Sequence, residues 1–385
     1  MKTRCQIEDL RVDEITVLPL TPAGRFSVYR LEKTGWSTIT LLVELAKKLR
    51  LPLEFVSYGG RLERNAVTSQ HIAFESKKLD DVITKSYQMT YVGRMDRPMA
   101  PDLIKHNEYR ITVRDLTESE CQKMTSQLDP VRRYGFANYY DDLKFTAYDP
   151  LQGFFGEKIL LGHMNGAAKV YLTGAAPDDS QSDRDRKAQL FEHWKDWKTC
   201  LSIAATPEEK SAFHYFIRKP DDFLGFLFEI PREEALSALG AYQAFIWNET
   251  LRRYLLSSSL QEPKIHPGVA GDYVFYQSVL DTFATRLSKL RIPTLASKME
   301  FPDVEVESIH EKLMQERGIE RSMFNKTKYR HVFFKSTLRS AVAIPGTLTA
   351  EVAADSLHAG KKSMTIHTSL PYGSYSAMLL KRLIA

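Results

Sequence analysis

Apolar and polar positions alternate at the start of the chain. In Ile7-Glu8-Asp9-Leu10-Arg11-Val12-Asp13-Glu14-Ile15, Leu10 and Val12 fall on one side and the charges on the other, which predicts a half-exposed strand. Pro19, Pro22 and Gly24 mark a turn. Residues 26–31 follow as a second strand, with Phe26 and Val28 on one face and Tyr29 and Leu31 on the other, so both faces are expected to be covered. The period then lengthens. Ile39, Leu42, Val43, Ala46 and Leu49 recur at helical spacing behind Ser37 or Thr38 as cap, and Pro52 ends the helix. Residues 53–58 predict a strand that leads into the loop Gly59-Gly60-Arg61-Leu62-Glu63-Arg64-Asn65 and then an Ala-Val-Thr-Ser-Gln strand. Further strands are expected at 87–92 and 108–113, and a helix capped by Thr117 over 117–128.

Past Asp149-Pro150 the pattern becomes helix-rich. Helical spacing covers 187–199, 207–216, 232–256 and 273–289, with 152–161 as a further helix and 176–183 as an exposed polar connection. Strands return at 332–334, 340–344 and 363–370, and a short helix closes the chain after Pro371-Tyr372-Gly373-Ser374-Tyr375. Strand-rich flanks around a helix-rich middle are the pattern of one domain inserted into another.

Composition narrows the classes. At 385 residues, 43% hydrophobic and 26% charged, the chain reads as an ordinary globular protein of two domains. No apolar run approaches the ~20 residues of a membrane span, and Met1–Asp9 lacks the apolar core of a signal peptide. Cys5, Cys121 and Cys200 show no CxxC spacing, which argues against a zinc site or a disulfide framework and suits a reducing cytoplasm. A net charge of +5 and 11% aromatic residues are compatible with a nucleic-acid partner. There is no phosphate-cradling glycine loop, no HExxH, no GxSxG and no dinucleotide fingerprint, so the expectation is a chemistry without metal or cofactor, or none.

Two stretches carry candidate chemistry. In the loop after residue 58, the glycines permit positive φ and close backbone approach, while Arg61 and Arg64 favour an ionised acid and can grip phosphate. Glu63 is therefore the candidate acid, although a surface hairpin with a solvated Arg–Glu pair fits the same residues. Gly93-Arg94-Met95-Asp96-Arg97-Pro98 repeats the arrangement superficially, without the Ala-Val-Thr-Ser-Gln continuation. The second stretch, Tyr134-Gly135-Phe136-Ala137-Asn138-Tyr139-Tyr140-Asp141-Asp142-Leu143-Lys144-Phe145, gathers aromatics, an amide and a cation. It fits a platform for a flipped base or a turn whose rings pack into a core. His193-Trp194-Lys195-Asp196-Trp197 has no metal spacing.

Taken in order, six segments resemble the TruD family of tRNA pseudouridine synthases. Ile7–Glu14 resembles its Pro-Glu-Asp-Phe-x-Val-x-Glu strand, and Lys33-Thr34-Gly35-Trp36-Ser37-Thr38 its Lys-x-Gly-x-x-Thr turn into a helix. The glycine-arginine loop resembles Gly-x-Lys-Asp-Arg-x-Ala-Val-Thr-x-Gln. Asn138-Tyr139-Tyr140-Asp141-Asp142-Leu143-Lys144-Phe145 resembles Asn-Tyr-Phe-x-x-Gln-Arg-Phe. Ala241-Tyr242-Gln243-Ala244-Phe245-Ile246-Trp247-Asn248 resembles Ala-x-Gln-Ser-x-x-x-Asn, and Leu370-Pro371-Tyr372-Gly373-Ser374-Tyr375-Ser376 the closing Leu-Pro-x-Gly-Ser-Tyr-Ala. Departures fall in the loop, where Glu63 replaces the family's catalytic Asp and Leu62 its Lys, and at Tyr140 and Leu143-Lys144, which replace Phe and Gln-Arg. A Gly-x-x-x-Gly-Asn turn is reduced to the Asn of Asp102-Leu103-Ile104-Lys105-His106-Asn107.

The resemblance implies an α+β fold. It would be a pseudouridine-synthase catalytic domain with a mixed or antiparallel sheet, formed by residues 1–148 and 331–385 and interrupted by a mainly helical TruD-type domain at 149–330. It implies isomerisation of uridine to pseudouridine in tRNA, with Glu63 catalytic and Arg61, Arg64, Asn138, Tyr140 and Lys144 binding RNA or the base. It implies tRNA or another structured RNA as partner, the cytoplasm as location, and neither metal, cofactor nor membrane. The alternative it leaves open is a TruD-like RNA-binding protein with impaired catalysis.

Overall fold

The computed structural model describes residues 1–76, 78–258, 260 and 262–385. The chain folds as two compact units, Met1–Phe136 with Ala343–Ile384, and Ala137–Val342.

The first unit is built on one mixed sheet. Its strands are β1 (Lys2–Thr3), β2 (Leu10–Thr16), β3 (Phe26–Thr34), β4 (Val56–Tyr58), β5 (Val67–Phe74), β6 (Val82–Ile83), β7 (Tyr87–Met95), β8 (Ile104–Leu116), β9 (Leu348–Ala354) and β10 (Lys362–Pro371). They run in the order β9-β10-β8-β2-β5-β3-β7-β6, with β1 added to β8 and β4 to β5. β2 and β5 are parallel, and the other pairs are antiparallel. β3 is a central strand with both faces covered, because Phe26, Ser27, Val28, Tyr29 and Leu31 are all buried.

Helix α1 (Thr38–Leu49) explains how the central loop is reached. Ser37 is the cap, its side chain accepting from the Thr40 amide, and that choice fixes the helical phase. The buried stripe becomes Thr38, Leu41, Leu42, Leu45 and Ala46, rotated by about one position from the stripe read in the sequence. The leucines pack on Tyr29, Leu31, Ile72, Phe74 and Met89, each such burial stabilising by roughly 1.5–3 kcal/mol. Thr38 is turned inward with them, its hydroxyl still in need of partners. Helices α2 (Glu118–Ser126), α3 (Leu128–Tyr134) and α4 (Ser376–Ile384) complete the unit.

The second unit is mainly helical and is organised by a helix over Arg232–Ser257. Ala235, Ala238 and Leu239 belong to one apolar cluster, and Ala241, Tyr242, Ala244, Phe245 and Ile246 to the next. Several expected elements change here. Residues 273–289 do not form one helix: Tyr273–Phe275 is a buried strand paired with Lys264–His266, as β-branched and aromatic residues favour, and only Asp281–Lys289 is helical. The helix read over 187–199 is two, Gln181–Glu192 and Trp197–Ile203, parted where Lys195 takes φ 81° and Asp196 caps anew. Residues 332–334 form no strand. Gly153–Phe154 is a strand, so the helix expected over 152–161 begins only at Phe155.

Candidate active site

The loop between β4 and β5 carries Glu63 and is fastened from beneath by its backbone. Gln70, wholly buried, donates from Nε2 to Gly60 O at 3.0 Å, and its Oε1 accepts from the Thr38 hydroxyl at 2.9 Å. Thr38 Oγ1 in turn accepts from the Leu62 amide at 3.1 Å. The buried Lys33 ammonium donates to Trp36 O at 2.8 Å, to Glu63 O at 3.0 Å and to Leu62 O at 3.5 Å. Burial pushes the Lys33 pKa down to about 8, and the Glu63 charge pulls the other way.

The two glycines serve close approach. Neither Gly59 nor Gly60 lies in the left-handed region, which corrects the positive-φ expectation. A Cβ on Gly59 would stand 2.7 Å from Ile104 Cδ1 and 3.3 Å from Ala100 O, so a side chain there would push the loop off the sheet. A Cβ on Gly60 would lie 3.8 Å from Glu14 Oε2. Glu14 is buried, accepts from the His71 amide through Oε1 at 3.1 Å, and has no partner for Oε2 among the described residues. Desolvation pushes its pKa up to about 7 against that hydrogen bond.

Above this floor the Glu63 side chain is about one-third exposed, and its Oε2 meets Arg4 Nη2 at 2.8 Å. Tyr109, which is buried, feels the Glu63 charge, and desolvation is the main cause of its raised pKa. Arg61 and Arg64 are exposed on the same loop. The competing acid does not share this construction. Asp96 is exposed at the end of β7, and Arg94 is spent on Gly24 O, Ser27 Oγ and Ser76 O.

In the second unit, the aromatic stretch divides between core and surface. Tyr139 and Phe145 are buried, whereas Tyr140 is half-buried. The Arg339 guanidinium lies 4.1 Å from the Tyr140 ring centroid, and Trp247 meets that ring edge-on at 5.6 Å. Asn248 grips the Tyr140 backbone twice, accepting from its amide at 2.8 Å and donating to its carbonyl at 2.9 Å. Burial raises the Tyr140 pKa, with Arg339 opposing. Asn138 is buried, donating to Ser340 O at 3.1 Å and accepting from Arg339 at 2.9 Å. Lys144 is half-buried, and a Cβ on Gly240 would crowd its ammonium at 3.2 Å.

Thus Arg61, Glu63 and Arg64 share one loop, and Asn138, Tyr140 and Lys144 share one segment. Sequence reasoning missed the supports. Lys33, Thr38, Gln70 and Asn248 lie inside stretches already singled out and could have been found there. Arg4 and Arg339 carry no local signal.

A mixed sheet with a polar-floored loop, in one chain with a mainly helical unit, defines an α+β protein whose fold is shared by a solved structure, the TruD protein of Methanosarcina mazei. That structure is 22% identical with a TM-score of 0.69, over 99% of this chain and 93% of its own. The family model for tRNA pseudouridine synthase D (TruD) matches residues 1–383, so the chain belongs to that family of pseudouridine synthases, which are isomerases. Curated relatives include tRNA pseudouridine synthase D of Leptospira interrogans, 26% identical over 98% of this chain and 94% of that one. The Aquifex aeolicus protein of the same name is 24% identical over 98% and 96%. Among the described residues, no helix is long and apolar enough to cross a membrane.

Proposed function

We propose that this chain isomerises uridine to pseudouridine in tRNA, with Glu63 as the group that acts on the target ribose. The family's reaction uses an acid either as nucleophile at C1′ or as base at C2′, after which the uracil detaches, turns and rejoins through C5. A carboxylate in that role must be held within ~0.5 Å of its working position. The observation that carries the reading is the fixed backbone of residues 60–63, tied to buried Lys33, Thr38 and Gln70, beneath a partly exposed Glu63 carboxylate. Arg61 and Arg64 are assigned to phosphate, Tyr140 to stacking and Lys144 to charge. Asn138, whose amide is engaged within its own unit, is assigned to positioning. The place of action is the cytoplasm, where tRNA is found.

Family membership favours the enzyme over an inactive RNA-binding protein, whose support is the set of departures at the site: Glu63 for Asp, Leu62 for Lys, Tyr140 for Phe and Leu143-Lys144 for Gln-Arg. The extra methylene moves the carboxylate by roughly 1 Å if the backbone stays put. The test is mass-spectrometric detection of pseudouridine after incubating full-length protein with unmodified tRNA. Product from wild type and none from Glu63→Ala is expected. No product from wild type, with product from Glu63→Asp, would overturn catalysis by Glu63.

A further inference from the structure

Late in the helical unit, Lys326, Lys328, Arg330 and Lys335 are all exposed, and none has a carboxylate partner among the described residues. The backbone that carries them is pinned from within the unit. Tyr329 is buried, its ring 5.5 Å from that of Phe228 and 6.1 Å from that of Phe155. His331 Nε2 donates to Ile230 O at 3.0 Å, and Arg232 Nη1 donates to His331 O at 3.0 Å. Val332 is buried beside them. Phe333 is then turned outward and is 66% exposed. A large ring left in water on a fixed backbone is what a stacking platform requires.

Phe333 lines a cavity of about 330 Å³, together with Phe324 and Phe334, which meet edge-to-face at 5.2 Å. That volume lies at the small end for ligand pockets and suits one flat ring system. Its walls also carry polar groups. Asn325 offers both a donor and an acceptor, and the buried Tyr329 hydroxyl has no partner among the described residues. The cavity lies along the same helix that holds Tyr140. Trp247 meets the Tyr140 ring, Gln243 one turn earlier donates to Lys335 O at 3.1 Å, and Leu239 one turn before that lines the cavity. From Leu239 to Trp247 the helix rises ~12 Å, a separation that a short run of single strand bridges. We propose that this cavity is a second nucleotide subsite. An unpaired base of the RNA, a short way along the strand from the target uridine, stacks on Phe333 with its edge toward Asn325. Lys328 and Arg330 take the adjoining phosphates. The proposal rests on the tRNA reading of the substrate and names a part of it.

The experiment is equilibrium binding of an unmodified tRNA transcript to full-length wild type, Phe333→Ala, Phe333→Trp and Lys328→Ala over a series of salt concentrations, with a thermal melt of each. Phe333→Ala is expected to raise Kd roughly tenfold without changing its salt dependence. Its Tm should stay within about 2 °C, because the side chain is exposed. Phe333→Trp should restore wild-type affinity, since any aromatic face stacks. Lys328→Ala should flatten the slope of log Kd against log salt by about 0.7. An unchanged Kd in Phe333→Ala overturns the proposal and leaves the exposed ring to a protein contact. So does a loss that Trp fails to rescue and that tracks a lower Tm. Because the readout is binding, a wild type without turnover overturns only the catalytic reading, whereas a wild type that binds no tRNA removes both.

Discussion

Glu63, the proposed acid of the first unit, and Tyr140, the proposed stacking ring of the second, are held by different means. At Glu63 the support is applied to the backbone: three buried polar side chains grip residues 60–63 from below, and the carboxylate is left about one-third exposed with Arg4 beside it. At Tyr140 the support is applied to backbone and ring together, by Asn248 on the peptide groups and by Arg339 and Trp247 on the ring. The difference follows from what each group must do. A carboxylate that forms or breaks bonds needs a defined origin and an open approach, whereas a stacking ring needs only a fixed plane.

The strongest way to break this comparison is Thr38→Val. The substitution keeps the shape and deletes the hydroxyl, leaving the Leu62 amide and Gln70 Oε1 without their partner in a buried site. Unpaired buried groups cost about 1–3 kcal/mol each, so unfolding in urea should show a loss of roughly 2–3 kcal/mol. Loop displacement should lower kcat on the order of 100-fold. Near-normal turnover would mean that the floor does not set the position of Glu63.

Next in size is Arg339→Ala. It removes the cation from the Tyr140 ring together with the bonds to Asn138 O and Asn138 Oδ1. A tilted platform should weaken substrate binding more than chemistry, raising KM roughly tenfold with kcat changed little. Arg339→Lys should recover only part, because an ammonium lacks the planar fork. A loss mainly in kcat would show that Tyr140 acts on the reacting atoms and not only on the base.

How much of this could be read from the chain depends on distance along it. The patterns in residues 7–15 and 26–31 are local, and strands form there at Leu10–Thr16 and Phe26–Thr34, although Ile7–Asp9 makes a 3-10 turn where strand is expected. The loop was legible as an acid between arginines for the same reason. Its glycines misled in detail, since a requirement for close approach to Ile104 and one for positive φ leave the same mark in sequence. Leu348–Ala354, an edge strand with little alternation, passed unnoticed, as did the helix Val304–Glu316. Arg4 meets Glu63 across 59 residues, and Arg339 meets Tyr140 across almost 200. Long-range pairs of exposed or half-buried side chains have no periodicity to announce them.

The smallest effect distinguishes the two supports by their response to pH. Glu14, under Gly60, is an ionisable group in the loop's floor, with its carboxyl pKa pushed up to about 7 by burial. The sign follows from proton binding: between about 4.5, where the exposed carboxyl titrates, and about 7, the folded protein holds a proton that the unfolded chain has released. Glu14 therefore contributes stability that is fully present below about 4.5 and is lost as pH rises through about 7. Glu14→Gln does not titrate and escapes that decline. Relative to wild type, its stability in urea should improve by roughly 1–2 kcal/mol between pH 4.5 and pH 8, less than the full shift implies because relaxation and water penetration soften the cost of the charged group. The same comparison on an Arg339→Ala background should give the same increment, since the ring support of Tyr140 carries no group that titrates in this range. Parallel pH profiles for wild type and Glu14→Gln would mean that Glu14 Oε2 has a partner when charged, and that the loop rests on a floor as indifferent to pH as the one beneath Tyr140.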